Sequence, residues 1–401
     1  MCETLPRRSL SFVALQNSEG QEACSGNAIM QRPYWYIPAH KDTRHLGVDV
    51  STRTATFDYL KQIAQAVDQL NYAGVLVPTG TNCEDSWVIA STLVGFTNQL
   101  KFIVAVRPGL MGPSAAARMA ATFDRMSQGR LIVNVVGGGD PVELAGDGVY
   151  LDHDQRYELM DEFIRIWRTL VTGQECTFSG KHLSVIKGNV LFPCLQDPHP
   201  PLFMGGSSKA AKRIALDHID TLLTWGEPPE QVAEKINPVR EMAAAEGRTI
   251  RFGIRLHIIV RETDDEAWAT ANDLIRFLDE GKIAQAQAVL GRTQSEGQKR
   301  MNDLHGGDMR KLEVSPNLWA GVGLVTGGAG TALVGSPETI AARLKEYESL
   351  GIEVFILSGY PHLEEAYRVA EMVFPLLDLS ESVVAPKSTR ALRARVIPGG
   401  W

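Results

Sequence analysis

Two basic residues stand two positions apart in "RFGIRLHIIV", Arg251 to Val260: Arg255 and His257. The alternating positions Phe252, Ile254, Leu256, Ile258 and Val260 are all apolar. Side chains alternate faces along a strand, so one face of this segment is greasy while the other carries cations. A cation on the second face of a buried strand needs an anionic partner, because an uncompensated buried charge is very costly. Arginine stays protonated and can only hold an anion, whereas a histidine titrates near neutrality and can also move a proton. The chemistry to expect here is anion binding with a proton transfer beside it. Burial against structural carboxylates is the plainer alternative.

Other residues invite the same question. "MGGSS" before "KAAKRIALDH" places Gly205, Gly206, Ser207 and Ser208 at the start of a helix, where backbone N–H groups and hydroxyls can cradle a phosphate. A tight turn plus an N-cap would explain the same residues. "VNVVGGGD" supplies Asn134, Gly137 and Gly138, and glycines allow a planar ligand to approach the backbone. His153 and Tyr157 in "HDQRYE" could reach a phosphate, with ordinary packing as the other reading of Tyr157. His40, Arg107 and His362 offer further positive or titratable groups. Cys83 sits beside Glu84 and Asp85, which disfavour a thiolate, so it reads as a small polar neighbour of a cofactor. Trp225 and Tyr360 could line a ring-binding pocket, or Trp225 could simply pack in the core. Neither Walker A nor GxGxxG occurs, and no HxH, HExxH or CxxC pattern suggests a metal site.

These residues are positioned by eight apolar runs: "YWYIP", "GVLVP", "KFIVAV", "LIVNVV", "PLFMG", "DTLLTW", "GIRLHIIV" and "VFILSG". They alternate with amphipathic stretches such as 57–71, whose Leu60, Ile63, Ala64, Val67 and Leu70 recur at three and four. Eight such units predict an α/β fold, a closed (β/α)8 TIM barrel with insertions, with a doubly wound sheet as the alternative. Apart from His153 and Tyr157, which lie in the connection after the fourth run, every residue singled out above follows or ends a strand or lies on the seventh. In a barrel all of them meet at the C-terminal mouth. Long connections over about 137–200 and 281–330 read as insertions, the second a mobile lid between strands 7 and 8. Residues 1–29 read as a flexible extension, with Met30 as an alternative start, 30–380 as the barrel domain, and 381–401 as a tail.

The chain has 401 residues, 44% hydrophobic and 22% charged, with net charge −7. That balance describes a globular protein without a basic field for nucleic acid or anionic membrane. No apolar run approaches the ~18 residues of a membrane span. Cys2, Cys24, Cys83, Cys176 and Cys194 are odd in number, which suits a reducing cytoplasm. "PRRSLSFVAL" has the look of a twin-arginine export signal, but its apolar part is short and interrupted. The expected location is cytoplasmic.

Several long stretches resemble the flavin-dependent alkanesulfonate monooxygenases of the bacterial luciferase-like superfamily. They include "YLKQIAQAVDQLNYAGVLVPTG", "CEDSW", "FIVAVRPG", "AARMAATFDRMSQGRLIVNVVGGGDPVELAGDGVYLDHDQRYE", "LTWGEPPE", "RFGIRLHIIVRETDDEAW", "SPNLWAGVGLV" and "LSGYPHLEEAYRVAEMVFPLLD". The resemblance implies an insertion-bearing TIM barrel, commonly a homotetramer. It implies that reduced FMN, supplied by a separate NAD(P)H-dependent FMN reductase, and O2 convert an alkanesulfonate to an aldehyde and sulfite for sulfur acquisition. By motif, the active-site positions fall on His40, Cys83, Trp225, Arg255, His257, Tyr360 and His362. It implies catalytic roles for Arg255, His257, Cys83 and Tyr360, and substrate contacts from His40, Trp225, His362 and Arg255. One departure stands out: after "WAGVGLV" the family's lid arginine is replaced by Thr326, with Arg292 and Arg300 as possible substitutes. Within the superfamily, the alternatives are oxidation of methanesulfonate, dimethylsulfone, or a long-chain aldehyde or alkane. Outside it stand a non-catalytic flavin-binding barrel and a sugar-phosphate barrel enzyme. The latter would want a Schiff-base lysine or metal carboxylates at strand ends.

Overall fold

In the computed structural model each of the eight apolar runs forms a strand: β1 Tyr34–Tyr36, β2 Gly74–Val77, β3 Lys101–Val106, β4 Leu131–Val135, β5 Leu202–Gly205, β6 Thr221–Trp225, β7 Arg251–Val260 and β8 Ile352–Ser358. The structure describes residues 30–49 and 52–380. The extension expected over 1–29 and the tail expected over 381–401 lie outside the described residues. Each strand pairs in parallel with the next, from β1–β2 through β7–β8, and β8 pairs with β1. The sheet therefore closes, which rules out the doubly wound alternative and makes this a (β/α)8 barrel.

Alternation along the strands divides the core as the sequence predicts. Tyr34, Tyr36, Leu76, Ile103, Ile132, Phe203, Val354 and Ile356 form one buried cluster that fills the barrel. Phe252, Ile254, Leu256 and Ile258 belong to a larger cluster, shared with Leu60, Ile63 and Val67 of the surrounding helices. The helix expected over 57–71 runs from Phe57 to Gln69, with the Thr56 side chain accepting from the Tyr59 N–H. Ser336 caps helix Pro337–Ser349 in the same way, with Pro337 in its first turn, and Gly351 follows at φ +94°.

The long connections have structure of their own. Residues 137–200 hold a short helix Pro141–Gly146, the helix His153–Val171, and an antiparallel hairpin of Cys176–Ser179 with Ser184–Gly188. The region after β7 holds helices Glu280–Leu290 and Glu296–His305 and a small antiparallel ribbon. β7 is long enough to carry that ribbon. His257 pairs with both Ser358 of β8 and Ala332, and Ile258 to Val260 then continue beyond β8 along the strand Ala332–Gly335. Among the described residues no helix is long and apolar enough to cross a membrane.

Candidate active site

The C-terminal ends of the strands surround a cavity of about 600 Å³. His40, Cys83, Arg107, Asn134, Gly137, Gly138, His153, Tyr157, Gly205, Gly206, Ser207, Ser208, Trp225, Arg255, His257 and Tyr360 all line it. His362 does not. Its side chain is buried behind this wall, its Nδ1 2.9 Å from Asp42 Oδ1. Register explains the deep end of the cavity: Arg255 is level with Trp225 on β6 and Ile356 on β8. It sits immediately above the apolar plug of the barrel.

Arg255 is a cation without a counter-ion. Its guanidinium carbon lies 3.9 Å from the centre of the Tyr36 ring, and its Nε has no hydrogen-bond partner. Among the described residues no carboxylate forms an ion pair with it. Three other arginines around the mouth are neutralised. Arg107 donates to Glu143 and Asp147, both at 2.9 Å, so only its unpartnered Nε remains for a ligand. The two lid arginines are also occupied, Arg292 by Asp140 at 3.3 Å and Arg300 by Glu227 at 2.6 Å. Neither takes up the charge missing at Thr326.

His257 is engaged at both ring nitrogens. Nε2 lies 3.0 Å from the Ala329 carbonyl oxygen, which can only accept, so Nε2 carries the proton. Nδ1 is then the acceptor for the Ser358 hydroxyl at 2.9 Å. The ring stacks on Tyr360 with centroids 5.2 Å apart. Burial, with the positive charges of Arg255 and His362 added, holds its pKa well below the ordinary histidine value. His257 is thus a neutral link between β7, β8 and the 326–331 loop, with no nitrogen free to act as a base. The unfolded chain binds a proton here below pH ~6.5 and the folded one does not. Stability contributed by this site is therefore fully present above that pH and falls as the solution is acidified. Urea denaturation from pH 7.5 to 5 should show the loss, and His257→Gln should flatten the slope by up to about 1.4 kcal/mol per pH unit. An unchanged slope would reject the assignment.

His40 borders the same cavity with no such tether. Desolvation, then His362, Lys41 and Arg255, lower its pKa, with Asp42 opposing. It is the neutral imidazole that faces the cavity. Burial and the nearby Glu143 raise the Cys83 thiol above its usual pKa, against Arg255 and Arg107. Cys83 is therefore a thiol at neutral pH, through burial and Glu143 rather than through its chain neighbours Glu84 and Asp85. Tyr360 is also raised, chiefly by burial.

The other end of the cavity is a cradle. Ser208 caps helix Lys209–His218, its hydroxyl accepting from the Ala211 N–H at 3.2 Å. Ser207 Oγ beside it is buried without a partner, as is Asn134 Oδ1 on β4. Buried polar atoms are normally paired, so orphans lining a cavity mark where a ligand bonds. Glycine is required at Gly206, where a Cβ would lie 2.6 Å from the Ala211 Cβ, and at Gly138, which has φ +72°. The Tyr157 hydroxyl is held above its usual pKa by burial, which outweighs its hydrogen bond with Ser208.

The segment after β7 roofs this space. The Gln294 N–H donates to the Gly139 carbonyl at 2.8 Å, and Gln298 Oε1 accepts from the Gly328 N–H at 2.8 Å. Arg156 joins the two insertions, donating to the carbonyls of Gly137 and Leu151 and to Gln294 Oε1. Arg156, Tyr36, Asp42 and Glu227 are the residues that sequence reasoning passed over. Tyr36 could have been found, because alternation in "YWYIP" puts it inside the barrel. The partners of the other three depend on contacts between segments far apart in the chain.

Chemically, the arrangement offers an unpaired cation at one end of the mouth and a phosphate-sized cradle at the other, with neutral imidazole, thiol and phenol groups between. A profile of luciferase-like monooxygenases matches residues 39–353. The structure superposes on riboflavin lyase (RcaE), solved with modified FMN and riboflavin, with TM-score 0.73 at 19% identity over 87% of this chain and 91% of that one. Long-chain alkane monooxygenase (LadA) gives TM-score 0.70 at 19% identity, with 87% and 91% covered. EDTA monooxygenase (EmoA) from Chelativorans sp. BNC1 gives 0.70 at 17% identity, with 89% and 97% covered. These structures share the fold, and the profile covers most of the barrel: the chain belongs to the luciferase-like monooxygenase family.

Proposed function

We propose that this protein is the oxygenase of a two-component system that uses reduced FMN and O2 to convert an alkanesulfonate to an aldehyde and sulfite. A separate NAD(P)H-dependent FMN reductase would supply the reduced flavin, and the assembly would be a homotetramer. The observation that carries the reading is Arg255, a half-buried cation without a counter-ion whose Nε is buried and unpartnered, which calls for an anionic substrate. FMN suits the cradle: Ser207, Ser208 and the helix start would hold the phosphate, with Tyr157 closing over it. The orphaned Asn134 Oδ1 would accept from the ring system. When bound, the reduced flavin supplies the electrons that activate O2 for insertion of one oxygen atom at the carbon bearing sulfur.

The protein's own groups supply the rest. Arg255, kept flat against Tyr36, fixes the sulfonate and sets its carbon towards the flavin. His40 accepts a proton from that carbon, since His257 has no free nitrogen. The C–S bond then breaks, sulfite leaves with the bonding pair, and the second oxygen atom ends in water. Residues of 289–298 and 326–329 line this space and would shield the reaction from bulk water. Supplying reduced FMN, O2 and sulfonates of increasing chain length, and measuring sulfite, tests the reading. Absence of sulfite at every length would overturn it. Ser207→Ala should weaken FMN binding about fivefold, the value of one hydrogen bond near 1 kcal/mol, measured by quenching of flavin fluorescence. Unaltered affinity would remove Ser207 from the cradle.

A further inference from the structure

The helix that begins at the cradle, Lys209–His218, carries positive charge where a helix least favours it. Its N-terminal end already holds the positive pole of the helix dipole. Yet the first turn contains Lys209 and no acidic residue, and Lys212 lies four positions after the Ser208 cap. The Lys212 N–H donates to the Ser208 carbonyl at 2.9 Å. Residues four apart share a helix face, so the Lys212 and Ser208 side chains lie on the same side.

The basic residues of this helix differ in their surroundings. Lys209 is exposed and does not border the cavity. Arg213 is exposed and pairs with Asp217 and Glu246. Lys212 is half-buried and lines the cavity with Gly205, Gly206, Ser207 and Ser208. Among the described residues its ammonium has neither a hydrogen-bond partner nor a counter-ion. Ser207 Oγ, also without a partner, faces the same space. The other lysine on this wall, Lys235, is committed to Glu227 at 2.7 Å. The Tyr157 hydroxyl, kept protonated by burial, is bonded to Ser208.

We propose that Lys212 is the counter-cation of the flavin phosphate and makes this site select FMN over riboflavin. The inference rests on the assignment of the cradle to the FMN phosphate in the reading above. Ser207, Ser208 and the backbone N–H groups at the helix start can all donate, but all are neutral. A phosphate monoester carries about −1.5 to −2 charges at pH 7. Enclosing that charge without a cation would be costly. The ammonium of Lys212 supplies it, and its flexible four-carbon stem lets it follow the phosphate oxygens. Riboflavin and FMN share the ring system and the ribityl chain, so a charge acting on the phosphate alone separates the two.

The test is titration of the full chain with oxidised FMN and with riboflavin, read by flavin fluorescence at two ionic strengths. Wild type should bind FMN much more tightly than riboflavin. Lys212→Gln should raise the FMN Kd about tenfold, equivalent to ~1.4 kcal/mol, and leave the riboflavin Kd within about twofold. It should also flatten the salt dependence of FMN binding, because salt screens a partly exposed ion pair. Lys212→Arg keeps the charge and should stay within about threefold of wild type. Lys212 has no partner within the protein to lose, so both variants should melt with the wild type. An unaltered FMN Kd in Lys212→Gln, or an equal loss of riboflavin binding, would overturn the proposal and leave the cradle in place. Equal binding of FMN and riboflavin by the wild type would overturn the cradle and this role together. Absence of sulfite from every sulfonate would instead reject the oxygenase reading, and the FMN preference would still decide the role of Lys212.

Discussion

Replacing Arg255 with glutamine should cut kcat/KM for an alkanesulfonate by two to three orders of magnitude while leaving FMN affinity within about twofold. Removing one partner of a buried charge pair leaves the other uncompensated and costs about 3–5 kcal/mol. At about 1.4 kcal/mol per factor of ten, that is a hundredfold to a few thousandfold. The loss should be large here, because the three other arginines at the mouth are already paired. Arg107 is held by Glu143 and Asp147, Arg292 by Asp140 and Arg300 by Glu227. Arg255→Lys should recover only part of the activity. An ammonium neither lies flat on Tyr36 nor presents two parallel donors to a sulfonate. The check is steady-state sulfite release with each variant, alongside flavin titration. Near-normal kinetics in Arg255→Gln would show that the sulfonate is held elsewhere or that the substrate is not an anion.

The contrast between Arg255 and its neighbours also shows what the sequence could and could not reveal. The eight strands and the closed barrel were legible, because buried parallel strands are short apolar runs and their spacing leaves room for one helix each. The mouth was legible for the same reason: a residue that follows a strand must lie at its C-terminal end. Partnering was not. Arg107 and Arg255 look alike in the sequence, yet one meets carboxylates 36 and 40 residues away and the other meets a tyrosine ring. His257 read as the better base from its intrinsic pKa. What removes it from that role is a carbonyl 72 residues further along and a hydroxyl 101 residues away. The resemblance implied that His362 contacts the substrate, but Asp42, 320 residues earlier, draws it behind the wall. Strand periodicity is a local property, whereas the protonation and availability of a side chain depend on contacts that only the closed barrel creates.

The largest loss of stability should come from Glu227, which joins the roof to the barrel. Its carboxylate is 1% exposed between two cations, 2.7 Å from Lys235 Nζ and 2.6 Å from Arg300 Nη2. Its backbone is fixed as well: the Tyr347 hydroxyl donates to its carbonyl at 2.7 Å, and a Cβ on the preceding Gly226 would overlap Leu256. Glu227→Gln therefore removes the charge without giving the chain room to adjust. Lys235, largely buried, would be left with Thr224 as a partner and without a counter-ion. Burial already lowers its pKa, and at present Glu227 opposes that shift. The expected cost is about 3 kcal/mol, the lower end for breaking a buried pair, because the Arg300 side chain keeps some contact with solvent. For a domain of this size that is a fall in Tm of about 5 °C. Arg300→Met should cost only about 1 kcal/mol, since Glu227 keeps Lys235. It should nonetheless expose the roof, so limited proteolysis within 290–300 should accelerate in both variants while the barrel stays intact. Equal melting of wild type and Glu227→Gln would mean that the apolar contacts of the roof hold it in place and the ion pair adds nothing.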